Sequence, residues 1–64
     1  MAQPTVDIEC EIVKITPEAV LINDGDTEAW LPLQYAETDE LGFVEGHKCV
    51  ITIPEWLAQD RGLI

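Results

Sequence analysis

Over residues 6–12 every second side chain is apolar (Val6, Ile8, Cys10, Ile12), and each one between is a carboxylate (Asp7, Glu9, Glu11). A period of two marks a strand with one face buried and the other in water. The run therefore commits the chain to a β-sheet that has an inside, and a strand is predicted over residues 5–16. Past Ile12 the phase slips, because Val13 and Ile15 are apolar while Lys14 is charged. That slip predicts a bulge or bend where a second face becomes buried.

The remaining elements follow from local signals. Thr16-Pro17-Glu18 reads as a tight connection, with proline presetting one dihedral, into a short strand over 19–22. In Asn23-Asp24-Gly25-Asp26 the Asp-Gly pair suits the positive dihedrals of a two-residue hairpin turn. A third strand is expected over 27–33, with Ala29, Leu31 and Leu33 on one face, Glu28 and Trp30 on the other, and Pro32 marking its end or an edge position. Residues 34–46 carry Glu37, Asp39, Glu40 and Glu45 with only Tyr35, Leu41, Phe43 and Val44 to anchor them. This reads as a loop with a helical turn, the most mobile part of the chain. A fourth strand over 48–53 has Cys49, Ile51 and Ile53 at core period. Thr52 and Glu55 fit a capping box, Pro54 falls in the first turn of a helix that runs to about Arg61, and Gly62 occupies the place of a left-handed cap with Leu63 folding back. The expected fold is mainly β: a small curled antiparallel sheet, or a partly open barrel, of about four strands with a C-terminal helix at one end. Residues 1–64 are expected to form one small acidic domain.

At 64 residues such a domain buries only about 60% of the surface its unfolded chain exposes. Stability is expected to be modest, but 47% hydrophobic residues separate the chain from acidic disordered tails. No apolar run has the length of a membrane span, and the first residues lack the basic start and apolar centre of a signal peptide. The chain reads as cytosolic and mature from Met1. Cys10 and Cys49 lie inside strand patterns rather than in a paired metal spacing, and are expected to be buried free thiols. With His47, expected in solvent, they would still leave a zinc site one ligand short, so no metal or cofactor is expected.

Thirteen carboxylates face only three basic side chains, a formal charge of −10. Self-repulsion of that density opposes compactness, so the charge either serves a function or confers solubility. There is no serine, one histidine, and no nucleophile elbow or phosphate-binding loop, which argues against an enzyme. Paired carboxylates could serve a glycosidase, but so small a fold offers little room for a sugar cleft. The acidic run Asp24-Gly25-Asp26-Thr27-Glu28 has raw material for calcium but not the helix-loop-helix ligand spacing, and a hairpin explains it without an ion. Trp30, Tyr35, Phe43 and Trp56 could be base-stacking platforms, but a chain this negative would repel phosphates along its whole surface. Direct nucleic-acid binding is not expected, and both tryptophans are read as core or rim-packing residues.

What remains is the carboxylate row itself. Asp7, Glu9 and Glu11 at alternate strand positions repeat about every 7 Å, a spacing similar to that of charges along a nucleic-acid strand. Such an array suits a partner whose lysines and arginines already form a groove for regularly spaced anions.

Size, acidity, Ile22-Asn23-Asp24-Gly25-Asp26, Trp30-Leu31-Pro32, and the closing Ile53-Pro54-Glu55-Trp56-Leu57-Ala58 with Gly62-Leu63-Ile64 together resemble small proteins of bacteriophages and mobile elements. Acidic DNA mimics and anti-CRISPR inhibitors are a functional type among these, and the resemblance implies action in the host cytoplasm. The leading expectation is a non-enzymatic, monomeric inhibitor that occupies the nucleic-acid site of a host defence complex, such as a CRISPR surveillance complex or a restriction enzyme. Asp7, Glu9 and Glu11 would supply its central contacts, with Asp24, Asp26, Glu28, Glu37, Asp39 and Glu40 flanking them. The alternative is an accessory or scaffolding module of a phage replication, recombination or packaging assembly. It would dock through an apolar edge around Trp30, Tyr35 and Phe43.

Overall fold

The computed structural model describes residues 4–38 and 42–64. Four antiparallel strands, β1 (Thr5–Ile15), β2 (Ala19–Asn23), β3 (Glu28–Pro32) and β4 (Lys48–Pro54), form one open sheet in the order β3-β2-β1-β4. A 3-10 turn (Leu33–Tyr35) follows β3, and a short helix α1 (Glu55–Asp60) follows β4. The fold is mainly β with a C-terminal helix, and the sheet does not close into a barrel.

The long first strand organises the rest. Its Thr5 to Glu11 half pairs with β4, whereas β2 pairs from Glu11 onward, Glu11 opposite Asn23 and Ile15 opposite Val20. Flanking strands that engage different ends of one central strand make the sheet staggered and curled. The predicted bulge is present, as a register shift between Ile12 and Lys14. It does not bury a second face at Val13, which stays exposed. Its consequence is a change of parity: Ile15 returns to the inner side beside Val20, and Lys14 turns outward opposite Leu21.

Alternation sends Ile8, Cys10, Ile12, Val20, Ile22, Ala29, Leu31, Ile51 and Ile53 to the inner face, all buried. Leu57 and Ala58 of α1 cover that face, with Val6, Ile15, Leu33, Phe43, Cys49 and Leu63 packed around the margin. Each fully buried Ile or Leu contributes about 1.5–3 kcal/mol of transfer free energy. Leu33 reaches this core from the 3-10 turn, because β3 ends at Pro32.

Turn chemistry differs from the expectation at two places. The β2–β3 connection is a four-residue loop rather than a two-residue turn, since Asn23 pairs with Glu28. Only Gly25 there has positive φ, 109°, so the paired positive dihedrals of the tight turn do not arise. The Asp24 carboxylate organises the loop by accepting from the amides of Asp26 (2.9 Å) and Thr27 (2.8 Å). The capping box is also not formed. Thr52 still belongs to β4, and its hydroxyl donates to Asp7 Oδ1 at 2.7 Å. Pro54 is the N-cap without a side-chain bond, and the Glu55 amide donates to the Pro4 carbonyl instead. The C-terminal end matches its sequence signal. Gly62 has φ 73°, its amide donates to Gln59, and the Leu63 amide donates to Ala58 at 2.9 Å, the paired bonds of a Schellman cap.

The 34–46 segment is tied to the sheet at both ends. Glu37 bridges Thr52 of β4 through two backbone hydrogen bonds of 2.9 and 2.8 Å. Further on, the His47 amide closes a turn onto the Val44 carbonyl. Gly46 at φ 81° and His47 together oppose Ile12, an extra residue that ends the pairing with β1 as a glycine bulge. His47 is accordingly half-buried rather than solvated.

Candidate interaction face

Strand parity assigns the outer face. Opposite the buried set, β1 presents Asp7, Glu9, Glu11 and, after the bulge, Lys14; the first three are exposed as expected. Their neighbours are fixed by register: Thr52 faces Asp7, Val50 faces Glu9, and Lys48 and Asn23 flank Glu11. Glu28 of β3 lies beyond Asn23 in the same cross-strand row, and Glu37 lies beyond Thr52 at the opposite edge. Five carboxylates thus share this face with two lysines, Lys14 and Lys48. Among the described residues the only ion pair is Arg61 with Asp60, away from this row.

The hairpin loop brings a further acid to the row. Glu9, Glu11 and Asp24 line one open groove of about 610 Å³, together with Lys48 and Val50. The two amide bonds that Asp24 accepts hold its carboxyl below the usual aspartate range, so it carries full charge at neutral pH. Asp26 is exposed on the same loop. Of the nine carboxylates named from sequence, Asp7, Glu9, Glu11 and Asp24 come together, Glu28 and Glu37 extend the same face, and Asp26 stands at the loop. Asp39 and Glu40 lie outside the described residues.

One side chain was not foreseen as part of this surface. Lys48 interrupts the row directly opposite Glu11, a position that only strand register reveals. Trp30 is not a core residue: it is 43% exposed on the outer face and pairs with Leu21. Its carbonyl accepts from Arg61 Nε at 2.9 Å, which blunts the free edge of β3. Trp56, also exposed, stacks edge-on against Tyr35 with ring centroids 5.3 Å apart. Phe43 packs against the core, so Trp30, Tyr35 and Phe43 do not make up one exposed apolar edge. Of the apolar side chains on the outer face, Trp30 and Val50 are exposed and Leu21 is half-buried.

Among the described residues no group of three or more His, Cys, Asp or Glu side chains is placed to hold a metal ion. No helix among them is long and apolar enough to cross a membrane. Comparison with protein-family models, with curated proteins and with solved structures finds no match.

Proposed function

We propose that this protein is a non-enzymatic acidic inhibitor whose outer sheet face occupies the cationic groove of a nucleic-acid-binding complex, of the anti-CRISPR or anti-restriction type. The observation that carries the reading is the exposed row Asp7, Glu9, Glu11 on a strand segment that β4 holds in register from Thr5 to Glu11. Carboxylates about 7 Å apart on such a strand keep a fixed spacing, which a disordered acidic tail cannot do. Asp24, Asp26, Glu28 and Glu37 widen the negative field around the row, and association with a basic groove would be fast and strongly salt-dependent.

The test is competition. The protein is added to a purified CRISPR surveillance complex or restriction enzyme, and displacement of labelled DNA is followed as salt rises. Inhibition should weaken steeply with salt and be lost in the folded triple variant Asp7→Lys, Glu9→Lys, Glu11→Lys. Undiminished inhibition by that variant refutes mimicry by this row.

A second reading has support from exposed Trp30 beside half-buried Leu21: an accessory module of a phage replication, recombination or packaging assembly that docks through apolar contact. Such docking would survive about 0.5 M salt, where screening confines charge effects to a few Å, and would be lost in Trp30→Ala.

A further inference from the structure

We propose that Cys10 and Cys49 form a cross-strand dithiol that low-molecular-weight disulfides convert into an intramolecular disulfide joining β1 to β4. The site is independent of the docking role assigned to the outer face. Three structural facts lead to it. First, the two residues are direct register partners, Cys10 opposite Cys49, and both are free thiols. Thr52 directs its backbone groups outward to Glu37, so the odd positions of β4, Cys49 among them, direct theirs toward β1. Cys10 and Cys49 are therefore a hydrogen-bonded pair, for which the Cα atoms stand about 5.5 Å apart, at the centre of the range a disulfide spans. In such a pair the Cβ atoms stand about 5.5 Å apart, so closing the bond draws them together locally to the roughly 3.5–4.5 Å a disulfide needs.

Second, burial divides the roles. Cys10 is buried and Cys49 half-buried, so an incoming reagent meets Cys49 first. Third, both cysteines line the open groove that Glu9, Glu11 and Asp24 also line. Solvent thus has a path to the pair, and the negative field there favours a cationic reagent over an anionic one. Thr38 Oγ1 donates a weak hydrogen bond to Cys49 Sγ at 3.7 Å, which orients that sulfur.

The chemistry is ordinary exchange. The Cys49 thiolate attacks one sulfur of the reagent, forming a mixed disulfide and expelling one thiolate, which takes up a proton. Cys10 then gives its proton to solvent base and attacks Cys49 Sγ. The bond between Cys49 and the reagent breaks, and a second thiolate leaves. Two protein thiols are oxidised by two electrons, and one reagent disulfide becomes two thiols. Burial and the adjacent Cys49 push the Cys10 thiol up to about 12, which makes the second step slow at neutral pH and faster as pH rises. Capping Cys49 removes its charge and with it part of that penalty.

The experiment treats folded, reduced protein with cystamine at pH 8 and, separately, with oxidised glutathione. Mass spectrometry and thiol alkylation then identify the products. The expected product has lost two hydrogens, resists alkylation at both cysteines, forms faster with cystamine than with glutathione, and melts about 10 °C higher until a reductant is added. Cys10→Ser should stop at a mixed disulfide on Cys49, and Cys49→Ser should leave Cys10 unmodified. A stable mixed disulfide on the wild-type protein overturns the proposal, as does an intramolecular bond that forms only in urea.

Discussion

Replacing Glu9 by Gln should stabilise the protein, because Glu9 is the one member of the row with a carboxylate on each side and no polar cross-strand partner. It faces Val50, whereas Asp7 receives the Thr52 hydroxyl and Glu11 faces Lys48. With Asp7 and Glu11 each about 7 Å away, Coulomb repulsion amounts to roughly 0.6 kcal/mol per neighbour in unscreened water. At 0.1 M salt a screening length of about 10 Å halves each contribution, leaving about 0.6 kcal/mol in total. For a domain of this size that corresponds to a rise in Tm of about 2–5 °C, an upper figure because the unfolded chain keeps part of the repulsion. Glu11→Gln is the built-in control: it removes one repulsive neighbour worth about 0.3 kcal/mol but also the attraction to Lys48, about 0.5 kcal/mol at a cross-strand separation of about 5 Å. Thermal melts of both variants at 0.1 and 1 M NaCl decide the matter. The Glu9→Gln gain should fall to about 0.1 kcal/mol at high salt, where screening acts over about 3 Å. A neutral or destabilising effect at low salt, or a gain that high salt leaves intact, would refute the claim that this carboxylate is held at a cost to the fold.

Three further outcomes follow from the core and the turns. Ile12→Ala empties a fully buried position in the strand that pairs on both sides and should cost about 2–5 kcal/mol, while Val50→Ala on the outer face should change urea stability by no more than about 0.5 kcal/mol. Gly62→Ala forces a side chain into φ 73°, and should lower stability by about 1–2 kcal/mol in the same urea assay. The raised Cys10 thiol gives an alkaline dependence: between its unfolded value of 9.0 and its folded value of about 12 the native state holds a proton that the unfolded chain has lost. Stability should therefore fall as pH rises through that window, and Cys10→Ala should flatten the fall.

The order of elements was legible because period-two alternation is a local signal, and Ile8, Ile12, Leu31, Ile51 and Ile53 all occupy the core it predicts; residues 19–22 are apolar throughout, so the inward turn of Val20 and Ile22 rests on pairing instead. The Gly62 cap was legible for the same reason, since the left-handed conformation narrows the choice of residue. Thr52 and Glu55 matched a capping box in spacing alone. The spacing carries no information about Asp7, which reaches Thr52 across 45 positions of sequence and takes its hydroxyl. The Asp24-Gly25 loop failed similarly, because a carboxylate that caps two amides stabilises a wider loop as well as a tight one. In the candidate site, the phase of Asp7, Glu9 and Glu11 was readable, while Lys48 beside Glu11 and Cys49 beside Cys10 depend on register, which is set by pairing between distant segments.

Register also explains why the acidic row ends where it does. Along an uninterrupted β1 the outward position after Glu11 would be Val13, and alternation would turn the charged Lys14 toward the core and Ile15 away from it. The bulge inserts Val13 as the unpaired residue and brings Lys14 outward opposite Leu21, beside Trp30. The outer face is thereby divided along its length: carboxylates where β1 pairs with β4, and a lysine among apolar side chains where β1 pairs with β2. The two functional readings address different ends of one surface. A groove that recognised only the negative end would be insensitive to Trp30→Ala, and a partner that recognised only the apolar end would be insensitive to charge reversal at Asp7, Glu9 and Glu11. Sensitivity to both changes would mean that one partner spans the bulge, with charge setting the rate of encounter and Trp30 the lifetime of the complex.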